Sequence, residues 1–314
     1  MRPSLVIFNP IAGRGLVARL KPTIVETLRR YNVEFDTMET TDRGEAVRLA
    51  REAVEAGYQL VVAVGGDGMV HEVVNGLMHA GAGPNDVTLG IIPAGSGNDF
   101  VKMLDLPGED IATACARIGR GQTRVVDIGR INELVSSGRP VFSIDDGRPG
   151  YFANMLGIGF TGLAAHESQK IDWLTGLPLY LVAVIRTLAL TYRTPHMEIA
   201  LDGNLISQRT TEVAVANGRC QGGGFWLTPD AEVDDGWFDL AIARGLSRVG
   251  ILRLIPDLMR GTHIDKEPIT MARARCVTID TAHPLPVQAD GEILASRVTH
   301  MELEVVPQAL RVIA

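Results

Sequence analysis

Short buried-strand patterns alternate with amphipathic-helix patterns along the first part of the chain. Residues 4–8, 60–64 and 88–92 are apolar runs rich in β-branched side chains, which is typical of parallel strands buried on both faces. Between such runs, apolar residues recur at intervals of three and four, as in residues 44–56 and 70–78, and this spacing predicts helices. Repeated strand–helix units of this kind predict a doubly wound α/β sheet with right-handed crossovers.

The pattern changes near residue 125, where short alternating segments are separated by turn residues. Two apolar periodic segments, 177–190 and 249–259, predict helices inserted among strands. The sequence Asp202-Gly203-Asn204 predicts a hairpin turn. This half therefore predicts a β-sandwich domain at 125–306, following an α/β domain at 1–124. The predicted strands are 125–131, 151–156, 197–201, 212–216, 238–243, 276–280, 287–290 and 301–306, and the polar segment 133–150 predicts a loop or hairpin.

Composition and charge exclude several classes of protein. A net charge of -7 argues against general nucleic-acid binding. Three widely spaced cysteines without a C-x-x-C motif indicate neither a disulfide framework nor a zinc site. The first apolar run is too short for a signal peptide, and the longest, 177–190, falls short of the roughly 20 residues that a spanning helix needs. We expect a cytoplasmic protein, at most peripheral to a membrane.

Small residues follow three predicted strands at the point where each strand ends. The loops are Asn9-Pro10-Ile11-Ala12-Gly13, Gly65-Gly66-Asp67-Gly68, and Gly95-Ser96-Gly97 with the potential helix N-caps Asn98 and Asp99. Backbone N–H groups of such loops can lie against a ligand, and a helix N-terminus favours phosphate. Because the carboxyl ends of neighbouring parallel strands line one crevice, the loops predict a nucleotide site.

Each loop alone is also compatible with a tight structural turn, but loops in tandem favour the binding interpretation. None matches G-x-G-x-x-G, and no Lys-Ser/Thr pair follows, so a standard dinucleotide dehydrogenase or a P-loop enzyme is not indicated.

Three acidic motifs are candidates for cation binding or for acid–base chemistry. Asp67 lies inside a glycine loop, where it can serve the nucleotide or its Mg²⁺, or instead cap the following helix. The turn Asp234-Asp235-Gly236-Trp237 suits a hard cation, although a plain hairpin turn has the same composition. The sequence Asp290-Gly291-Glu292 supplies two carboxylates for a general base, unless both are merely solvated turn residues.

Together these motifs resemble the diacylglycerol kinase catalytic-domain family, in particular its bacterial soluble lipid kinases. Gly65 to Gly68 matches the family's G-G-D-G-T loop, and the segment Pro93-Ala94-Gly95-Ser96-Gly97-Asn98-Asp99 matches P-x-G-T-x-N-D. Asn9-Pro10 with Gly13 matches N-P-x-x-G, and the turns at 234–236 and 290–292 match two acidic motifs. Met69 departs from the pattern, because the family usually has Thr or Ser there, whose hydroxyl can bind phosphate or cap the helix.

The resemblance implies an N-terminal ATP-binding domain, a C-terminal β-sandwich that receives the lipid, a cleft between them, and a last segment, 307–314, that returns to the first domain. It also implies Mg²⁺, with a structural ion on the Glu232 carbonyl, Asp235 and the Trp237 carbonyl. Glu292 would be the general base, with Asp290 as its orienter or alternate. The residues that the resemblance implies around ATP are Asn9, Pro10, Ile11, Ala12, Gly13, Thr41, Gly66, Asp67, Gly68, Met69, Val70, His71, Glu72 and Ser96.

The predicted function is an ATP-dependent lipid kinase that phosphorylates the hydroxyl of a lipid such as diacylglycerol at a membrane surface. Two alternatives stay open. A NAD kinase-like phosphotransferase would share the fold and the G-G-D-G loop, and a non-catalytic nucleotide-binding regulator would keep the loops without needing Glu292. The acceptor lipid and the oligomeric state, including a homodimer, also stay open.

Overall fold

The computed structural model of the chain describes residues 4–106, 110–136, 138–141, 150–171, 173–174 and 176–314. The contacts within the chain divide it into two compact units. Unit 1 comprises Met1–Ile128 and Pro307–Ala314, and unit 2 comprises Gly129–Val306.

Secondary structure in unit 1 alternates between strands and helices. Its elements are β1 (Ser4–Phe8), α1 (Ala12–Arg30), β2 (Asp36–Glu39), α2 (Glu45–Glu55), β3 (Leu60–Gly65), α3 (Asp67–His79), β4 (Thr88–Pro93), α4 (Asp99–Met103) and α5 (Ile111–Arg120). The strand β5 (Thr123–Ser136) begins in unit 1 and ends in unit 2. Unit 2 continues with β6 (Arg139–Pro140), β7 (Gly150–Phe152), β8 (Met155–Gly159), α6 (Phe160–Ser168), α7 (Gly176–Leu190), β9 (His196–Leu201), β10 (Asn204–Ala216), β11 (Phe238–Arg244), α8 (Arg248–Arg260), β12 (Ile269–Ala274), β13 (Cys276–Ala289) and β14 (Glu292–Ile313).

The sheet of unit 1 is parallel, in the order β2-β1-β3-β4, with the last residues of β14 beside β4. Alternate strand residues, among them Phe8 and Val64, form one core with α1 and α5. The remaining strand side chains point to the opposite face, and α2 and α3 pack against each other. The predicted doubly wound sheet is confirmed, and it brings the carboxyl ends of β1, β3 and β4 to one edge.

A buried arginine ties the C-terminal strand to this sheet. Arg117 of α5 donates from Nη1 to the carbonyl of Ile313 at 2.6 Å and from Nη2 to the carbonyl of Ile91 at 2.9 Å. Because both acceptors are main-chain atoms, one guanidinium links α5, β4 and the chain's last strand. The edge of the sheet beside β4 therefore depends on residues more than 200 positions away from β4.

The strands of unit 2 are antiparallel. β10 pairs with β8, β9 and β11, and β13 pairs with β8, β9 and β14 around one large apolar core that includes Phe152 and Phe238. The hairpin predicted at Asp202 is confirmed. Asn204 pairs with Leu201 across Asp202 and Gly203, which both have positive φ.

Several boundaries in unit 2 differ from the sequence prediction. The predicted strands 276–280 and 287–290 belong to one long strand, β13, with register shifts between Asp280 and Leu285. The predicted strand 151–156 is instead split between β7 and β8, because the N–H groups of Ala153 and Asn154 bond to the carboxylate of Asp290. Within the segment 133–150, residues 133–136 and 139–140 are in strands, and residues 142–149 lie outside the described residues.

The helices α7 and α8 lie where the sequence predicts them, but α6 was missed. Its residues are small or buried on several sides, so the apolar spacing of a surface helix is absent. A β-carbon at Gly162 would collide with the carbonyl of Pro286, so α6 packs directly against the backbone of β13. Among the described residues, no helix is long and apolar enough to cross a membrane.

Candidate functional site

The loop after β1 lies against the loop after β4. Gly13, Arg14 and Gly15 all have positive φ, so the regular part of α1 begins only after them. A β-carbon at Gly13 would lie 2.8 Å from the carbonyl oxygen of Ala94, which leaves no room for a side chain. Ile11 in the same loop is 79% exposed, although it is a large apolar residue. This loop therefore combines a close backbone approach with an apolar side chain directed to solvent.

The loops after β3 and β4 are packed backbone to backbone. A β-carbon at Gly66 would lie only 3.0 Å from the Cα of Gly95, and Ala94 N donates to the carbonyl of Gly65 at 2.8 Å. Glycine is required at both contact positions because any side chain would push the loops apart. The sequence prediction that these small residues line one edge of one sheet is thus confirmed.

Asp67 connects the same two loops through its carboxylate. Its Oδ1 accepts the backbone N–H of Asp99 at 2.6 Å and that of Phe100 at 3.4 Å. Asn98 is at the N-cap position of α4 as predicted, but its side chain does not cap the helix, because it bonds to the N–H and carbonyl of Gly95 at 3.0 and 3.1 Å. Asp99 is a first-turn residue whose carboxylate pairs with Lys102 at 2.8 Å. The N-terminus of α4 is therefore capped by an acid 32 residues earlier in the chain.

The first turn of α3 is mostly buried. Met69, Val70 and His71 are each 4% exposed, and a β-carbon at Gly65 would meet the Met69 side chain. Hydrophobic packing against the preceding strand thus accounts for the methionine, whose side chain points into the fold. The backbone of Gly66 is extended, and α3 starts directly after it at Asp67.

Glu72, predicted near the nucleotide, caps a different helix. Its two carboxylate oxygens accept the N–H groups of Gly44 and Ala46 at 2.9 and 3.1 Å, at the N-terminus of α2. Thr41, at the end of β2, donates its N–H to Glu45 at 2.7 Å, which is the main reason that the pKa of Glu45 falls to about 2. Glu72 and Thr41 therefore both shape the start of α2, and Ser96 is exposed in its loop.

In unit 2, the sequence Asp290-Gly291 forms the tight turn between β13 and β14. Both residues have positive φ, and Ala289 pairs with Glu292 across the turn, as in a two-residue hairpin. The carboxylate of Asp290 accepts the N–H groups of Ala153, Asn154 and Met155 at 2.9 to 3.1 Å. Asp290 is thus committed to backbone contacts, and the half-buried Glu292 begins β14 directly after the turn.

Two buried glutamines that the sequence did not reveal support this turn. The side-chain amides of Gln221 and Gln288 bond to each other at 2.6 and 3.1 Å, and Gln288 Oε1 also accepts the N–H of Gly291 at 3.0 Å. Both side chains are at least nine-tenths buried. Their positions in the sequence give no signal, because the pair joins residues 67 positions apart.

The predicted cation motif at Asp235 is an acidic cluster with an arginine in it. Asp235 accepts the N–H of Trp237 at 3.0 Å and pairs through its second oxygen with Arg273, whose Nε lies 3.6 Å from Asp239. Burial raises the pKa of Asp239 to about 6, and the carboxylates of Asp235, Asp230 and Glu232 add to this rise against the opposing effect of Arg273. The cluster carries an excess of carboxylate oxygen, the donor type that Mg²⁺ prefers.

An apolar pocket lies beneath α7 and α8, within unit 2. It contains about 670 Å³ of space, including its opening to solvent, and its lining is almost wholly apolar. Glu212 is a polar exception: its carboxylate accepts the N–H of Thr161 at 2.8 Å and a bond from the Thr161 hydroxyl, at the N-terminus of α6. Desolvation by burial raises the pKa of Glu212 to about 8, despite the opposing hydrogen bonds from Thr161.

Sequence reasoning missed this pocket because its lining comes from well-separated segments. The residues that line it are Phe160, Thr161, Tyr180, Val184, Thr211, Glu212, Ala214, Phe225, Leu227, Ala241, Ala243, Leu246, Ile251, Leu254, Ile255, Leu258, His263 and Ile269. The alternating pattern of β10 and β11 and the apolar faces of α7 and α8 were visible in the sequence, but they indicated only an ordinary core.

Family models account for both halves of the chain. Residues 3–131 match the diacylglycerol kinase catalytic domain, and residues 154–314 match the YegS C-terminal NAD kinase beta sandwich-like domain. The chain therefore belongs to the diacylglycerol kinase family, and it is a kinase. The two-domain fold class predicted from the sequence is confirmed, with an α/β catalytic domain followed by a β-sandwich-like domain.

Individual relatives agree with this assignment over nearly the whole chain. A diacylglycerol kinase of Bacillus subtilis (strain 168) is 31% identical over 293 residues, which cover 93% of this chain and 90% of the relative. A diacylglycerol kinase of Mycobacterium tuberculosis (strain H37Rv) is 29% identical over 306 residues, covering 97% and 93%. A crystal structure of a Bacillus anthracis str. Sterne protein assigned as a diacylglycerol kinase has a TM-score of 0.77 at 25% identity, covering 99% of this chain and 94% of that one.

Proposed function

We propose that this kinase transfers the γ-phosphoryl group of ATP, with Mg²⁺, to the hydroxyl of a lipid such as diacylglycerol at a membrane surface. The observation that carries the proposal is the edge of the unit 1 sheet where three small-residue loops meet with their backbones in contact. Phosphoryl transfer depends mainly on positioning and on charge neutralisation, and main-chain N–H groups at helix N-termini supply both.

The nucleotide would lie on these loops. Gly66, Gly68 and Gly95 have no side chain to block a phosphate, and α3 begins with its N-terminus at the same edge. The exposed side chain of Ile11 offers an apolar surface for an adenine ring. Met69 and Val70 would contribute backbone only, because their side chains are buried. Asp67 would hold the shape of the loops, since its Oδ1 accepts the N–H of Asp99.

Glu292 would accept the proton of the attacking hydroxyl. A general base needs a carboxylate oxygen that can reach the hydroxyl, and the three backbone N–H groups held by Asp290 favour a positioning role for that residue. Asp290 fixes the turn against β8, and the amide of Gln288 fixes Gly291 from the other side. Glu292, the next residue, would thus be presented by a turn that is held at two points.

Mg²⁺ would bind at the acidic cluster around Asp235 and at the phosphates of the nucleotide. The Asp235 carboxylate would bind the ion together with the carbonyls of Glu232 and Trp237, and the nearby carboxylates of Asp230, Glu232 and Asp239 would add negative charge. A bound Mg²⁺ would supply positive charge to these oxygens. Arg273 neutralises part of the cluster through Asp235 and Asp239.

The apolar pocket beneath α7 and α8 supports a lipid acceptor rather than a nucleotide acceptor such as NAD. Its mostly apolar lining suits hydrocarbon chains, and it includes no arginine or lysine to bind the phosphates of NAD. The relatives described above carry the name diacylglycerol kinase, which favours diacylglycerol among the lipid alcohols.

The test is a comparison of acceptors with the purified chain, ATP and Mg²⁺. Phosphate incorporation is measured with diacylglycerol, phosphatidylglycerol and ceramide in mixed micelles, and with NAD in solution. We expect incorporation into a lipid, at a rate that falls by about 10²-fold to 10⁴-fold in the Glu292→Gln variant. Phosphorylation of NAD alone would contradict the proposal, and so would ATP binding without turnover on any of these lipids.

A further inference from the structure

The outward face of α8 is unusual for a helix at a protein surface. Its inner face packs on the core through Ile251 and Leu254, as expected for an amphipathic helix. The exposed positions of the outer stripe, at intervals of three and four, are apolar or cationic, and the partly buried Asp257 beside them pairs with Lys266. Its exposed residues are Val249, Leu252, Arg253, Pro256, Met259 and Arg260.

The most exposed positions of α7 are apolar, and its one charged residue, Arg186, pairs with the buried Glu167. Pro178, Ile185 and Ala189 are exposed at helical spacing, and Ile185 alone is 61% exposed. Two more large apolar side chains flank the helix, because Trp173 and Leu190 are 69% and 67% exposed. In an ordinary surface helix these positions would be polar.

The two stripes adjoin. Arg248 at the start of α8 donates from Nε to the carbonyl of Leu188 near the end of α7 at 2.7 Å, so Val249 and Leu190 lie at neighbouring ends. The inner residues of both helices share one core cluster, which includes Val184 and Ile251. We call the combined outer surface of α7 and α8, formed by Pro178, Ile185, Ala189, Leu190, Val249, Leu252, Arg253, Pro256, Met259 and Arg260, the α7–α8 face.

The charges on this face oppose those of the rest of the chain. Among the described residues, neither Arg253 nor Arg260 pairs with a carboxylate, whereas Arg244 pairs with Glu267 and Arg273 with Asp235. The chain as a whole carries a net charge of -7, so an anionic surface would repel most of it. Unpaired arginines among exposed apolar side chains are the pattern that binds the interface of an anionic bilayer.

We propose that the α7–α8 face docks this kinase on an anionic lipid bilayer, with the apolar side chains in the interface and Arg253 and Arg260 on lipid headgroups. The inference rests on the proposed lipid acceptor, and it adds the surface by which the enzyme reaches that lipid. The location of the pocket supports it, because Val184 and Leu254 line the pocket from the inner sides of the same helices. A lipid that leaves the bilayer at this face would be separated from the pocket only by α7 and α8.

The test measures co-sedimentation with vesicles without ATP and without an acceptor lipid. Vesicles of phosphatidylcholine with phosphatidylserine are compared with pure phosphatidylcholine, at low and high salt. Wild type should bind the anionic vesicles, and the binding should weaken at high salt. Ile185→Asp with Leu252→Asp should reduce the binding at least tenfold, because both apolar contacts are lost. Arg253→Glu with Arg260→Glu should reduce it by about 25-fold or more, from roughly fivefold for each arginine removed.

Matched controls separate the α7–α8 face from general effects. Leu205→Asp changes an apolar side chain that is 64% exposed on the β9–β10 hairpin, and it should leave binding unchanged. Arg29→Glu with Arg120→Glu changes the net charge by the same amount on helices of unit 1. Arg253, Arg260, Arg29 and Arg120 are all exposed, so their substitution should not prevent folding. The two double arginine variants therefore test the proposal even if an aspartate variant fails to fold.

Three results would overturn the docking proposal. The first is that the α7–α8 variants bind vesicles as strongly as wild type does. The second is that the control variants lose as much binding as the α7–α8 variants. The third is a change in oligomeric state at unchanged vesicle binding, measured by light scattering, because it would make the face a contact between two copies of the chain. Turnover on a water-soluble short-chain diacylglycerol should survive in the docking variants. If wild type phosphorylates no lipid at all, the proposed function fails, while sedimentation still decides the docking proposal.

Discussion

The carboxylate of Asp67 accepts the backbone N–H of Asp99 at 2.6 Å, and this bond joins the G-G-D-G loop to the loop after β4. An acid at the start of α3 thereby caps α4 across the gap between two strands. A change at Asp67 would disturb the mutual position of the two loops as well as any contact with a nucleotide. The two effects can be separated, because only one of them needs a negative charge.

Asp67→Asn keeps an acceptor oxygen for the N–H of Asp99 but removes the charge. We expect this variant to melt close to wild type and to show a raised KM for ATP. Asp67→Ala leaves the two N–H groups without their acceptor, so it should lower the free energy of unfolding by about 1 to 3 kcal/mol. Thermal melting and ATP-dependent kinetics measure the two effects independently.

Asp110→Ala is the matched control for a lost helix cap. Asp110 accepts the N–H of Thr113 at the start of α5, and its loss should lower the melting temperature without changing the KM for ATP. A KM for ATP that is the same in Asp67→Asn and in wild type would restrict Asp67 to a structural role.

Sequence patterns were sufficient for the parts of this fold that depend on neighbours in the chain. The loops after β1, β3 and β4 could be predicted because glycine clusters directly follow apolar runs, and the Asp202-Gly203 turn because its residues alone favour positive φ. The caps of α2 and α4 could not, because Glu72 and Asp67 reach helices 28 and 32 residues away. A capping side chain that is distant in sequence leaves no local pattern.

The site in unit 2 was predicted only at its turn. The positive φ of Asp290 and Gly291 follows from the Asp-Gly sequence, but the three N–H groups that Asp290 holds belong to residues about 135 positions earlier. The same holds for Glu212, which alternation in β10 places on the face opposite Val213 and Val215 and which is nevertheless buried. Its partner is the start of α6, a helix with no amphipathic pattern.

Chelation of Mg²⁺ should destabilise unit 2 if the ion binds at Asp235. We expect wild type to melt at a lower temperature in a chelator than in Mg²⁺, since a ligand that binds only the folded state stabilises it. In Asp235→Asn this difference should disappear, because the variant lacks a charged ligand, while ATP binding persists. Asp265→Asn, a change at an exposed acid outside the cluster, should keep the difference. Equal melting of wild type with and without the chelator would contradict the site.

The raised pKa of Glu212 predicts a stability that falls as the pH rises. In the unfolded chain the carboxyl titrates near its ordinary value of 4.5, and in the folded chain near 8, so the folded state holds an extra proton between these values. Stability is then fully present below about pH 4.5 and is lost progressively up to about pH 8, on the order of 1 kcal/mol per pH unit. Denaturant unfolding from pH 5 to 8.5 should show this slope in wild type and a flatter one in Glu212→Gln.

Glu167→Gln is the control for this pH dependence. Glu167 is a buried acid of α6 whose pKa is lowered, mainly by the hydrogen bond from Lys170 and also by Arg186. Its folded and unfolded values both lie below pH 5, so its removal should lower stability by a constant amount over the tested range. A wild-type slope that survives unchanged in Glu212→Gln would mean that another group is responsible.

The Asp202-Gly203 turn in unit 2 provides a matched control for the Asp290-Gly291 turn that precedes Glu292. Asp202 and Asp290 each begin a two-residue turn, and each carboxylate accepts backbone N–H groups, from Arg275 and Cys276 in the first case. Asp202→Asn and Asp290→Asn should therefore cost similar stability. Only Asp290→Asn should also lower turnover, because only that turn presents the general base.

Glu292→Gln should separate the chemistry from the structure. The amide keeps the size of the side chain but cannot accept the proton, so kcat should fall by about 10²-fold to 10⁴-fold while the KM for ATP and the melting temperature stay near wild type. A solvated carboxylate with no chemical role would give almost no change. Near-normal lipid phosphorylation by Glu292→Gln, with Asp290→Asn inactive but folded, would transfer the role of base to Asp290. Activity in both variants would remove the motif from the reaction, because no other residue of this turn has a group that can accept the proton.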